Sequence, residues 1–74
     1  MKITRGEHTL SVTFESHGQE DYTIEEKLFR KSCELNLHFT HYKLTNFQNK
    51  VVIIFSGEDY KLEQVLDYLK KYEN

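Results

Sequence analysis

Four histidines and one cysteine have the widest chemical reach in this 74-residue chain, with Cys33, His38 and His41 as the tightest group. A structural zinc site needs four ligands held tetrahedrally, usually in paired short spacings. Only His38-x-x-His41 has such a spacing, and on a strand residues i and i+3 point to opposite faces. Cys33 falls on the apolar arc of a predicted helix, where a free thiol behaves as a small hydrophobe. It is therefore expected to be buried, slow to react and free of zinc. Nucleophilic catalysis would need Cys33 or a serine beside a histidine that a third group orients. His8, His17, His38 and His41 are all remote in sequence, and no local motif selects one of them. No glycine-rich phosphate loop is present, and Glu58 and Asp59 at the predicted start of the last helix would repel an anion there. The expectation is a protein without enzymatic activity, cofactor or metal.

A second chemistry open to the chain is stacking on nucleic acid. The formal charge is −2, from 10 basic and 12 acidic residues, so there is no global basic footprint. Glu15, Glu20, Asp21, Glu25 and Glu26 form an acidic stretch, while Lys43 and Lys50 are the only full charges between Asn36 and Gly57. The strand–helix unit from Lys50 to Leu69 is laid out like the third strand and second helix of an RNA-recognition motif, which stacks bases on exposed sheet aromatics. With Phe55 set at the last aromatic position of that signature, the stacking positions fall on Lys50 and Val52, so the signature is not met. A non-standard nucleic-acid surface would use Arg5, Lys43 and Lys50, with Tyr42 and Phe47 beside them.

The elements that must position these residues follow from periodicity. Val51-Val52-Ile53-Ile54-Phe55 is an unbroken β-branched and aromatic run, the mark of a strand buried on both faces. Ser56-x-x-Asp59 has capping-box spacing, so this strand should feed a helix almost directly. That helix, about 58–72, presents Leu62, Val65, Leu66, Leu69 and Tyr72 on one side. Upstream, Gly6-Glu7 reads as a two-residue hairpin turn that places Ile3 opposite Leu10 and Met1 opposite Val12. Ser16 to Tyr22 reads as a loop. Thr23-x-x-Glu26 is a second capping box opening a helix to about Leu35, with Ile24, Leu28, Phe29, Ser32, Cys33 and Leu35 on one arc. Residues 37–45 alternate imperfectly, and Asn46-Phe47-Gln48-Asn49 reads as a second hairpin turn.

The order hairpin, helix, hairpin, helix predicts one α+β domain over residues 1–74: a two-layer sandwich with a four-stranded sheet and both helices on one face. A domain this small buries only about 60% of its unfolded surface, and one cysteine allows no internal disulfide. The chain has no signal-peptide pattern and no apolar run near about 18 residues, so it reads as soluble and cytoplasmic, with no membrane contact. The absence of alanine, proline and tryptophan fits an AT-rich coding genome, such as a low-GC bacterium or its phages or plasmids. Helices on one face leave one parity of residues 51–55 uncovered. The leading expectation is thus an interaction or regulatory module that docks on a protein partner, or on itself as a homodimer. Its surface would comprise Val52 and Ile54, with Phe39, Tyr42 and Phe47 nearby. Nucleic-acid binding, and a small enzyme or toxin, are the alternatives.

Overall fold

The computed structural model describes residues 2–15, 19–44 and 50–71, with side chains described outside 19–23 and 42–44. Its elements run β1 (Lys2–Gly6), β2 (Thr9–Glu15), α1 (Gln19–Leu35), β3 (His38–Leu44), β4 (Lys50–Ser56) and α2 (Asp59–Lys70). The four strands form one antiparallel sheet in the order β1-β2-β4-β3. The continuous apolar run thus occupies an inner strand, and β1 and β3 are the edges. This is the predicted two-layer α+β sandwich.

The first hairpin turns one residue later than expected. Gly6 pairs with Thr9, leaving Glu7-His8 as the two-residue loop, so Ile3 meets Val12 and Arg5 meets Leu10. The left-handed position is taken by His8, at φ 59°, a conformation histidine tolerates better than most side chains. A Cβ at Gly6 would run into Oγ1 of Thr9, so a larger residue there requires that hydroxyl to rotate away. Met1, the other half of the expected pairing, lies outside the described residues, as does the expected turn at 46–49.

Helix α1 begins at Gln19, within the segment expected to be a loop, and Thr23 is its fifth residue rather than its cap. Gln19, Glu20 and Asp21 are compatible with a first turn, where carboxylates complement the helix dipole. The helix ends in a Schellman motif: Leu37 N–H donates to Ser32 O at 2.8 Å and Asn36 N–H to Cys33 O at 3.2 Å. Asn36 holds the left-handed position at φ 56°. The motif turns Leu37 inward, where it is buried and lies against Gly57; a Cβ at Gly57 would stand 2.5 Å from Leu37 Cδ2. The strand-to-α2 corner therefore needs glycine for space as well as for its φ of 155°. No Ser56–Asp59 capping box forms. Glu58 is the N-cap, without a side-chain capping bond, and Ser56 belongs to the strand.

Strand parity settles which face is covered. Leu10, Val12 and Phe14 of β2 and Val51, Ile53 and Phe55 of β4 are buried, together with Leu28 of α1 and Leu62, Val65 and Leu69 of α2. Both helices therefore pack on one face. Two expected core residues turn out otherwise. Phe29 is 51% exposed and Cys33 is exposed, because α1 is rolled so that Leu28 and Ser32 form its innermost ridge. The buried Ser32 hydroxyl donates to Phe29 O at 2.6 Å, which satisfies it within the helix. Leu66 is only partly buried, at the edge of the α2 stripe. Lys31, stacked 5.2 Å from the Tyr68 ring centroid, ties α1 to α2.

Candidate functional site

The two sheet faces separate the residues expected to act together. Phe39 pairs with Phe55 and His41 with Ile53, so both belong to the helix-covered face. Val52 and Ile54 belong to the opposite face, on which neither helix packs. There Tyr42 pairs with Val52 and Thr40 with Ile54, while Thr13 and Ser11 flank them from β2. Phe39 is therefore not part of the surface expected around Val52 and Ile54. On β4 both aliphatics of that surface are half-buried, and Ser11, Thr13 and Thr40 stand beside them in register. Phe47 lies outside the described residues. His38 falls on the open face in register with Ser56, opposite in parity to His41, as i, i+3 geometry on a strand requires.

The basic residues are equally dispersed. The Arg5 guanidinium reaches Asp59 at 3.5 Å and Glu63 at 3.4 Å, and donates to the carbonyls of Gly6 at 3.1 Å and Thr9 at 3.0 Å. With His8 Nδ1 3.4 Å from Asp59 and Gly57 N–H donating to His8 O at 3.1 Å, it fastens the first hairpin to the start of α2. Arg5 is thus engaged by carboxylates of its own chain. Lys50 stands in register between Glu15 and Leu44, and Lys43 pairs with Val51.

What the fold does build is a groove between α1 and the edge strand β3. It is an open depression of about 240 Å3, lined by Glu25, Glu26, Phe29, Phe39 and His41. The two elements run in opposite directions here, so Phe29 meets Phe39 while Glu25 meets His41. The rings of Phe29 and Phe39 are edge-to-face, with centroids 5.3 Å apart, and Phe39 continues edge-to-face onto buried Phe55 at 5.6 Å. Edge-to-face pairs at such distances are favourable beyond their area burial. The half-exposed Phe29 is therefore positioned from the core outward through a chain of three rings. His41 lies parallel to Phe39 at 6.4 Å, and its Nε2 stands 3.1 Å from Glu25 Oε2. The Glu25 side chain is only 13% exposed. Glu26 takes Arg30 at 2.7 Å on the outer surface of the helix.

Chemically, the groove offers an aromatic wall at one end and carboxylates around an imidazole at the other. A carboxylate-oriented imidazole is half of a general-base arrangement, but the five lining residues supply no hydroxyl, thiol or amine for it to activate. None of Glu25, Glu26 and Phe29 was expected in a site from sequence, and His41 was weighed only as a metal or catalytic candidate. Glu25 and His41 are too far apart in the chain, and on different elements, for any local spacing to announce them.

Among the described residues no group of three or more metal-binding side chains gathers, and no helix is long and apolar enough to cross a membrane. Compared with known proteins, the chain matches no family model, no curated protein and no solved structure. The class it falls in is accordingly that defined by the fold and the groove: a small antiparallel α+β sandwich with an aromatic-walled groove along one sheet edge.

Proposed function

We propose that this chain is a non-enzymatic protein-interaction module that engages its partner along the α1–β3 side. The observation that carries the reading is Phe29, a large aromatic left 51% exposed yet held in place by Phe39. Burying the exposed half of a phenylalanine removes roughly 75–125 Å2 from water, about 2–3 kcal/mol on association. Its ring is already fixed, so little ordering cost opposes that gain. Aromatics in this situation are typical interface anchors.

The sheet face away from the helices supports a second reading, self-association, because among the described residues Val52 and Ile54 stand on it without a helix above them. The two readings separate experimentally. A tagged chain and its Phe29→Ser variant are used for affinity capture from native lysate, with nuclease present. Loss of a specific band with Phe29→Ser supports the groove, and undiminished capture overturns it. Sedimentation of the purified chain and of Ile54→Lys tests the sheet face. Capture that survives nuclease and about 0.5 M salt also excludes phosphate contacts as its source, since those weaken steeply with salt.

A further inference from the structure

Resting on that reading, we infer that the occupant of the groove is an extended segment of another protein, added as a fifth strand to the outer edge of β3. This segment carries an apolar side chain, aromatic or long aliphatic, two residues from a lysine or arginine. Three features of the α1–β3 side converge on this chemistry.

The first is backbone. Strand β3 ends the order β1-β2-β4-β3, so among the described residues it is bonded along one side only. A row of unpaired amide and carbonyl groups is a template for another strand, and strand addition is a common mode of peptide recognition. The second is shape. A strand laid beside β3 projects every second side chain toward the helix side, into the depression walled by Phe29 and Phe39. The third is charge. Among the described residues, two carboxylates and one imidazole line the groove, and no lysine or arginine does. The guanidinium that Glu26 takes belongs to Arg30, which does not line the groove and has a side chain 75% exposed.

The antiparallel course of α1 and β3 fixes the spacing. Phe29 and Phe39 mark one end of the groove, and Glu25 with His41 the other, one alternate position along the strand. A side chain against the two phenylalanines therefore has its same-face neighbour, two residues away, beside the carboxylates. Run parallel to β3 the segment reads apolar-x-basic, and run antiparallel it reads basic-x-apolar.

The probes are capped synthetic peptides of about eight residues with Phe-Thr-Lys or Lys-Thr-Phe at the centre, titrated into the isotope-labelled full chain by NMR. The expected result is saturable binding of one order, with amide shifts concentrated in His38–Leu44 and in the Glu25–Phe29 turn of α1. Phe29→Ser, at an exposed position where folding is verified by circular dichroism, should weaken it by about tenfold or more. Lysine-to-glutamate in the peptide should abolish it. N-methylation of alternate peptide amides should do so on the hydrogen-bonding parity alone. Shifts centred on Val52 and Ile54, indifference to the lysine, or no saturation by either order would overturn the inference. If the peptides fail while Phe29→Ser still abolishes partner capture, the α1–β3 side remains the contact surface and only the extended, cationic occupant is wrong.

Discussion

Replacing Leu62 by alanine tests the phase of α2 on the sheet. Leu62 is fully buried in the same cluster as Val65, Leu69 and the β2 and β4 side chains. The substitution removes about three carbons, worth about 0.8 kcal/mol each in transfer alone, or about 2.4 kcal/mol. The unfilled space raises the cost into the range of about 2.7–5 kcal/mol seen for buried leucines. Total stability for a domain of this size, with one cysteine and so no internal disulfide, is about 3–5 kcal/mol. Leu62→Ala should therefore leave the protein largely unfolded or only just folded at 25 °C. Leu66, one turn later but only partly buried at the rim of the cluster, should cost about half as much, about 1.4–2.5 kcal/mol. Urea unfolding followed by circular dichroism measures both. A Leu66→Ala cost equal to or above that of Leu62→Ala would mean that α2 is rolled differently, and the core described above would be wrong.

Three further outcomes follow from named features. Cys33, exposed on α1, should react with a thiol reagent in the folded protein at nearly the rate seen in denaturant; strong protection would contradict the roll of the helix. Asn36→Gly should be close to neutral, whereas Asn36→Val should cost about 1–2 kcal/mol by forcing a β-branched residue into the left-handed Schellman position, as denaturant midpoints will show. Arg5→Gln should cost less than about 1 kcal/mol, with the difference from wild type shrinking in high salt, because the carboxylates it meets are more than half exposed.

The parts of the fold legible in the sequence are those set by long, unambiguous periodicity. Residues 51–55 could be only a strand, but the unbroken run reads as buried on both faces, whereas Val52 and Ile54 are half-buried on the face away from the helices. Of the side of α2 expected to face inward, Leu62, Val65 and Leu69 are buried, Leu66 is partly so, and Tyr72 lies outside the described residues. Where several positions competed, sequence could not choose. The apolar arc of α1 spans Ile24, Leu28, Phe29, Ser32, Cys33 and Leu35, too wide to reveal its centre. The tertiary solution puts Leu28 and small Ser32 innermost and sends Phe29 and Cys33 outward. In the first hairpin Gly6-Glu7 reads as the turn because glycine is free to take the first central position, whereas Gly6 pairs with Thr9 and Glu7-His8 form the loop. The groove was illegible for a different reason. It exists only where α1 passes β3, and Glu25, Phe29, Phe39 and His41 mean nothing together until the sheet order puts β3 at the edge.

The most direct test of the α1–β3 side as a contact surface compares Phe29 with Tyr60, the other exposed large apolar side chain among the described residues, at 51% and 59% exposure. A photo-crosslinking phenylalanine derivative is installed at position 29 or at position 60, and the protein is irradiated in its native cells. A contact surface on the α1–β3 side predicts a discrete crosslinked protein adduct from position 29 and none from position 60, although Tyr60 is the more exposed of the two. Adducts from position 60 alone, or no discrete adduct from position 29, would contradict it.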